Sequence, residues 1–260
     1  MRTSQARTIP AFVSFLLCNI LLSQNGPVTP TGAMRNTMFN GQLAGLIAMD
    51  SLAVQSTYGI GPLEYLRGEL LVLDGTVFVS STATEAGMAV EQRPTVRAPF
   101  FVHQRVVNWT AVELPDSVVD LMKLDAFLTT RYAAEGTPFA FRMQGTFASV
   151  DVHIVDVPIG SEVHGPDDAH RHNKDFHSEG RTMDIVGFFS TRHKAVFTHH
   201  DTNIHVHAIT TERDWMGHGK DAIPAKSGTA RHRTPVSVPQ SLPRMPRIVL
   251  ATRVAAHHPQ

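Results

Sequence analysis

The chain has 260 residues, with 23 basic and 23 acidic side chains and 15 histidines. This balance excludes the general electrostatic pull toward nucleic acid or an anionic membrane that a basic protein exerts. The length suits one large globular domain or two small ones around a buried core, and a single cysteine, Cys18, excludes an intrachain disulfide and a thiolate zinc site.

In chain order, Arg2 and Arg7, the apolar run Ala11–Leu22 and the polar exit Ser23-Gln24-Asn25-Gly26 form the three parts of a secretory signal over residues 1–25. The run is too short to span a bilayer as a helix. The expected location is secreted or periplasmic, with no membrane attachment after processing. The alternative is an apolar N-terminal helix kept in a cytoplasmic protein. Residues 36–57 read as a helix capped by Asn36, with Phe39, Leu43, Leu46, Ile47 and Leu52 near the helical period. Tyr58-Gly59-Ile60-Gly61-Pro62 is a breaker cluster. Gly68–Val79 reads as two strands joined by Asp74-Gly75, a hairpin signal.

Residues 82–97 are polar and turn-rich, and Phe100–Val107 predicts a strand. Leu114–Tyr132 carries a helical pattern through Val118, Leu121, Leu124 and Leu128. Phe139–Val157 predicts two strands broken near Gln144-Gly145, and Pro158–Gly180 a polar loop. Met183–Ser190 and Asn203–Thr210 are further strands. From Ala222 to Gln260 there are six prolines, six Lys/Arg residues and no acidic residue, which predicts a disordered or extended basic arm with a short strand allowed at Ile248–Ala251. Strands mixed with helices, and a β-rich second half, make the fold class α+β.

The strongest chemical signal is His205-Val206-His207, with His218 eleven residues later. Alternate strand residues share a face, so His205 and His207 project side by side while Val206 faces away. Two imidazoles on a strand and a third returning from a loop suit an open zinc site, with one position left for water or substrate. In a histidine-rich chain the same pair also arises by chance. His170, His172 and His177 form a second cluster in the polar loop, where nothing rigid orients the rings, so it reads as solvated. Of the adjacent His199-His200, one could support a ligand, and otherwise both read as surface residues.

Glu69 and Arg142 are charged residues inside apolar strand patterns, costly if half-buried and unpaired. Each reads either as an outward-facing strand residue or as a functional group, Glu69 an acid/base and Arg142 a two-pronged clamp on a substrate carboxylate.

Together, several segments resemble the α-acetolactate decarboxylase family: Thr37-Met38 and Leu43-Ala44-Gly45, then Tyr58–Gly75, Ala98-Pro99-Phe100, Phe141–Phe147, Ile185–Phe188, and His205-Val206-His207 with His218. They follow the family's order along residues 36–219. The resemblance implies a decarboxylase-like domain over 26–221, built as two sheet-containing lobes, mixed and antiparallel, with the metal between them and a lobe boundary near 135. It implies zinc held by His205, His207 and His218, with catalytic roles for Glu69 and Arg142. It further implies 2-acetolactate as the small-molecule substrate, acetoin as product, and a homodimer. The family's second glutamate, from a tail folding over the metal, has no counterpart in residues 222–260. Arg67 stands where the family has aspartate before Glu69, and Asn203-Ile204 replaces its usual glycine and aromatic.

Two other readings follow from the residues. His205, His207 and Glu212 have the spacing of a cupin-like metal site, with Glu212 replacing His218. The acid-free tail also suits a degenerate scaffold that binds metal without turnover.

Overall fold

The computed structural model describes residues 24–84, 87–225 and 247–251. The signal sequence expected over residues 1–25 lies outside these residues apart from its last two, as does most of the basic arm. The first lobe contains β1 (Thr29–Thr31), α1 (Met34–Asn40), β2 (Ile47–Ala48), β3 (Thr57–Pro62), β4 (Glu69–Leu73), β5 (Thr76–Thr84), β6 (Gly87–Gln92), β7 (Arg97–Ala98) and β8 (Phe101–Arg105). Its main sheet has the order β1-β8-β3-β4-β5-β6, and every pairing in it is antiparallel.

The helix expected over 36–57 is instead one seven-residue helix, a short strand and a 3-10 turn at Met49–Leu52. Gly41 ends α1 in the left-handed region at φ 61°, a conformation that carries no steric cost for glycine. A Cβ at Gly45 would lie 2.2 Å from the Arg97 side chain, so the chain there runs against β7 and cannot continue as a helix. The Asp74-Gly75 hairpin forms as expected, with positive φ at both residues joining β4 to β5.

The second lobe contains β9 (Thr110–Val112), α2 (Leu121–Tyr132), β10 (Phe139–Val155), α3 (Pro166–His170), β11 (Asn173–Glu179), β12 (Thr182–Phe189), β13 (Ile204–Thr210), β14 (Met216–Pro224) and β15 (Arg247–Leu250). The sheets change over between Arg105 and Thr110, ahead of the lobe boundary expected near 135. The predicted helix starts late, at Leu121, because Asp120 caps it by accepting the Lys123 backbone N–H at 2.6 Å. Leu121, Leu124, Leu128 and Tyr132 bury one face of α2 against the sheet, each contributing about 1.5–3 kcal/mol of apolar burial.

The two strands expected over 139–157 are a single 17-residue strand, β10. Its first half pairs with β12 and its second half with β14, through register shifts at Phe147/Ser149 and Asp151/Val152. Since β12, β13 and β14 are already joined in series, the hydrogen-bonded path closes on itself. Such shifts bend a strand and raise its twist, which lets β10 reach both ends of the path. The loop expected over 158–180 holds α3 and β11, and the strand allowed at Ile248–Ala251 is β15. Mixed helices and sheets in two lobes match the expected α+β class.

Period-2 alternation places the site. On β10, β12 and β13, Phe141, Ile185 and Val206 face a core shared with α2. On the opposite face Ala140, Val186 and Ile209 pack against Ile60, Leu71 and Phe78 of the first lobe. His205 and His207 alternate with Val206, and Glu69 alternates with Leu70, so all three point into the junction between the lobes.

Candidate active site

His205 and His207 lie on β13, and His218 lies on β14 directly across from His207. His218 therefore comes from a paired strand and not from a loop, the one element of this trio misread from sequence. All three are at most 8% exposed. His205 Nε2 is 3.2 Å from His207 Nε2 and 3.2 Å from His218 Nδ1. Imidazole nitrogens about 2.0–2.1 Å from a tetrahedral zinc stand roughly 3.3–3.4 Å apart, so the two separations from His205 already match ligands around one ion. Among the described residues this is the group whose ligand atoms could hold a metal, all within 4.8 Å of one another.

The lone pair of His205 is set by an outside partner. His205 Nδ1 donates to the Phe197 carbonyl at 2.8 Å, which leaves Nε2 bare toward the cluster. Burial drives the pKa of His207 down to about 3, with the nearby His153 and His199 adding to the effect and the Leu70 backbone opposing it. Burial likewise takes His205 and His218 well below the ordinary value. Neutral imidazoles are what a metal needs, since a protonated ring has no free lone pair.

Glu69 closes the site from the first lobe. Gly68 precedes it at φ +143°, where a Cβ would lie 2.3 Å from the Ser80 carbonyl oxygen. The bare backbone therefore lets β4 enter tight against β5. Glu69 is 2% exposed, its Oε2 is 3.7 Å from His207 Nε2, and the Val155 N–H donates to its Oε1 at 3.2 Å. Burial raises its pKa well above the usual carboxyl range, and the Val155 bond offsets part of this. The outward-facing option for Glu69 is thereby excluded.

Arg142 is placed elsewhere. Its Nε donates to Asp184 Oδ1 at 3.0 Å, and Asp184, fully buried, also pairs with Arg213 at 2.9 Å. Arg142 does not line the cavity that reaches the histidines. Glu212 is also apart: it lies exposed in the β13–β14 turn, accepting from Arg181 at 3.1 Å. The cupin-like set is therefore not assembled, because the hairpin reverses the chain before Glu212 can turn inward.

A cavity of about 620 Å³ opens onto Glu69, His205 and His218, walled by α1, α3 and the β12–β13 loop. It also exposes His153, which sequence reading left without a role, and His199, one of the adjacent pair read as a possible support for a ligand. His153 stacks on His218 with ring centroids 4.5 Å apart, and His199 Nε2 is 2.9 Å from His218 Nε2. Period 2 in Val150-Asp151-Val152-His153 could have flagged His153 as facing away from the apolar core. Of the second cluster, His170 lines the cavity, while His177 is exposed and bonded to Asp151 and Glu179.

Fold and site define a two-lobed protein with a buried three-histidine cluster at the lobe junction. The chain belongs to the alpha-acetolactate decarboxylase family, whose sequence model matches residues 32–246. Its fold is similar to that of alpha-acetolactate decarboxylase from Bacillus subtilis strain 168, at 16% identity over 86% of this chain and 85% of that one, with a TM-score of 0.63. The enzyme of Bacillus subtilis subspecies spizizenii gives 15% identity, the same coverage and a TM-score of 0.64. A Staphylococcus aureus protein of unknown function, described as similar to alpha-acetolactate decarboxylase, gives 17% identity over 86% and 84% of the two chains, with a TM-score of 0.63. No curated protein matches the sequence significantly.

Proposed function

We propose that the protein is a metal-dependent carboxy-lyase that converts 2-acetolactate to acetoin and carbon dioxide. The observation that carries this reading is the convergence of His205, His218 and Glu69 at the floor of one cavity, with His207 buried directly behind them, in a chain of this family. A divalent ion held by the three histidines, zinc by the character of the donor set, would supply the positive charge that steadies the electrons left behind when carbon dioxide departs.

The chain's own groups account for the remaining steps. The cavity, larger than a five-carbon hydroxy-keto acid requires, admits the substrate with some water. Loss of carbon dioxide leaves an enediolate, and a proton must be delivered to one carbon face to give acetoin. Glu69, held by Val155 and with its pKa raised by burial, is the group placed to deliver it. Carboxylates of Asp167 and Asp201 in the cavity wall can return the proton from solvent. Arg142, tied to Asp184 on the paired strand, braces the sheet of the second lobe in this reading.

The acid-free stretch 222–260 favours a second reading, a scaffold that binds metal without turnover. Among the described residues no helix is long and apolar enough to cross a membrane. Export of the mature chain and its assembly as a homodimer belong to the same proposal, on the strength of the N-terminal pattern and the family resemblance. Metal analysis of the purified protein, with an acetoin assay on racemic 2-acetolactate, tests the function. Stoichiometric zinc with acetoin formed is expected. Stoichiometric zinc with no acetoin would establish the scaffold instead.

A further inference from the structure

We propose that His199 is a positioning residue for the metal centre, accepting the Nε2–H of His218 so that His218 Nδ1 is left free to ligate. The inference rests on reading His205, His207 and His218 as the ligands. A neutral imidazole carries one hydrogen, on either nitrogen, and only the bare nitrogen can bind an ion. His218 turns Nδ1 toward His205 at 3.2 Å and Nε2 toward His199 at 2.9 Å. Binding through Nδ1 therefore requires the hydrogen on Nε2, and the atom in position to accept it is His199 Nε2. His199 must in turn carry its own hydrogen on Nδ1. The Phe197 carbonyl settles the same question for His205 with a fixed acceptor. For His218 the acceptor is a side chain, and its place depends on how firmly it is held.

It is held firmly. The β12–β13 loop that carries His199 is fastened to the first turn of α1, where the Ala195 and Val196 carbonyls accept the Arg35 and Met34 N–H groups at 2.9 and 2.8 Å. Within the loop, Ala195 N–H donates to the Thr198 carbonyl at 2.8 Å. The His199 ring meets His218 edge-on, at 84° with centroids 4.9 Å apart, which points a ring nitrogen and not a ring face at its partner. His153 approaches His218 differently, face to face at 16°. It limits the tilt of the ring but leaves the choice of tautomer to His199.

The test uses the full-length chain, stripped of metal and titrated with zinc against a chelator of known affinity. Replacing His199 by Phe removes the acceptor and keeps a ring, and the zinc affinity is expected to fall 10–100-fold, the usual effect of losing such a partner. His199→Gln can place its amide oxygen where Nε2 stood, and is expected to bind zinc within about threefold of wild type. His199→Leu replaces His199→Phe if the larger ring prevents folding, as judged by melting of the metal-free protein. Wild-type affinity in the acceptor-free variant overturns the proposal, and so does equal loss in the Gln and acceptor-free variants. Zinc uptake without acetoin would sink the decarboxylase reading and leave this one standing.

Discussion

Replacing Glu69 with Gln separates its chemical role from its structural one. The two side chains have nearly the same volume, and the Gln carbonyl can still accept the Val155 N–H that Glu69 accepts at 3.2 Å. What is lost is an ionisable carboxyl whose Oε2 lies 3.7 Å from His207 Nε2. General-acid contributions of this kind run to about 10²–10⁴-fold, so initial rates of acetoin formation should fall by that factor with the zinc content unchanged. Stability should move the other way in the metal-free protein. Because burial raises the Glu69 pKa, the folded state binds more protons than the unfolded one above the ordinary carboxyl value near 4.5, so stability falls as pH rises toward the folded pKa. The Gln variant lacks that decline and should melt higher than wild type at neutral pH. Glu69→Asp withdraws the carboxyl by about 1.5 Å and should be impaired both in rate and in its Val155 bond. A Gln variant that makes acetoin within threefold of the wild-type rate would remove Glu69 from the mechanism.

Three further outcomes are expected. Single Ala substitutions at His205, His207 or His218 should each abolish stoichiometric zinc binding by elemental analysis, while Glu212→Ala, on its exposed turn, should keep it. The metal-free protein should be acid-labile: its buried histidines stay neutral while the unfolded chain takes up protons below about 6.5. Melting temperature should therefore drop as pH falls from there toward about 3, where His207 itself charges, and a flat profile would contradict the neutral cluster. Asp184→Asn leaves Arg142 and Arg213 without their shared partner; with both arginines only partly buried, the low end of the buried-pair range applies, about 3 kcal/mol. Calorimetry should show that as a drop of roughly 6–12 °C.

How much of this was legible in the sequence depended on how local the signal was. Asp74-Gly75 and the H-x-H pair are written in adjacent residues, and both appear as expected. The helix over 36–57 failed because its apolar spacing was helical but Gly41 and the contact of Gly45 with Arg97 were decisive, and that contact spans 52 residues. β14 was missed because Met216-Gly217-His218-Gly219-Lys220 has little strand character on its own. Pairing with β10 and β13 imposes the strand. Arg142 carried a site pattern in its own segment, yet its environment is set by Asp184, 42 residues away. His153 lies outside every local motif and the His199-His200 pair names no partner, and only the closed strand path with its fastened loop brings both His153 and His199 to His218.

The long strand β10 also bears on the order in which the protein can be completed. Its first half needs β15, whose Leu250 pairs with Phe141 more than one hundred residues earlier, and among the described residues β9 pairs only with that same late strand. During synthesis the first lobe can close once Arg105 has emerged, because all of its strands precede that point. The second lobe must wait, keeping an unpaired edge on β10 until β15 has emerged. Such long-range pairing is slow and leaves strand edges exposed to other chains. The half of the molecule that carries the three histidines is thus the last to be sealed, and the cluster is completed late in folding.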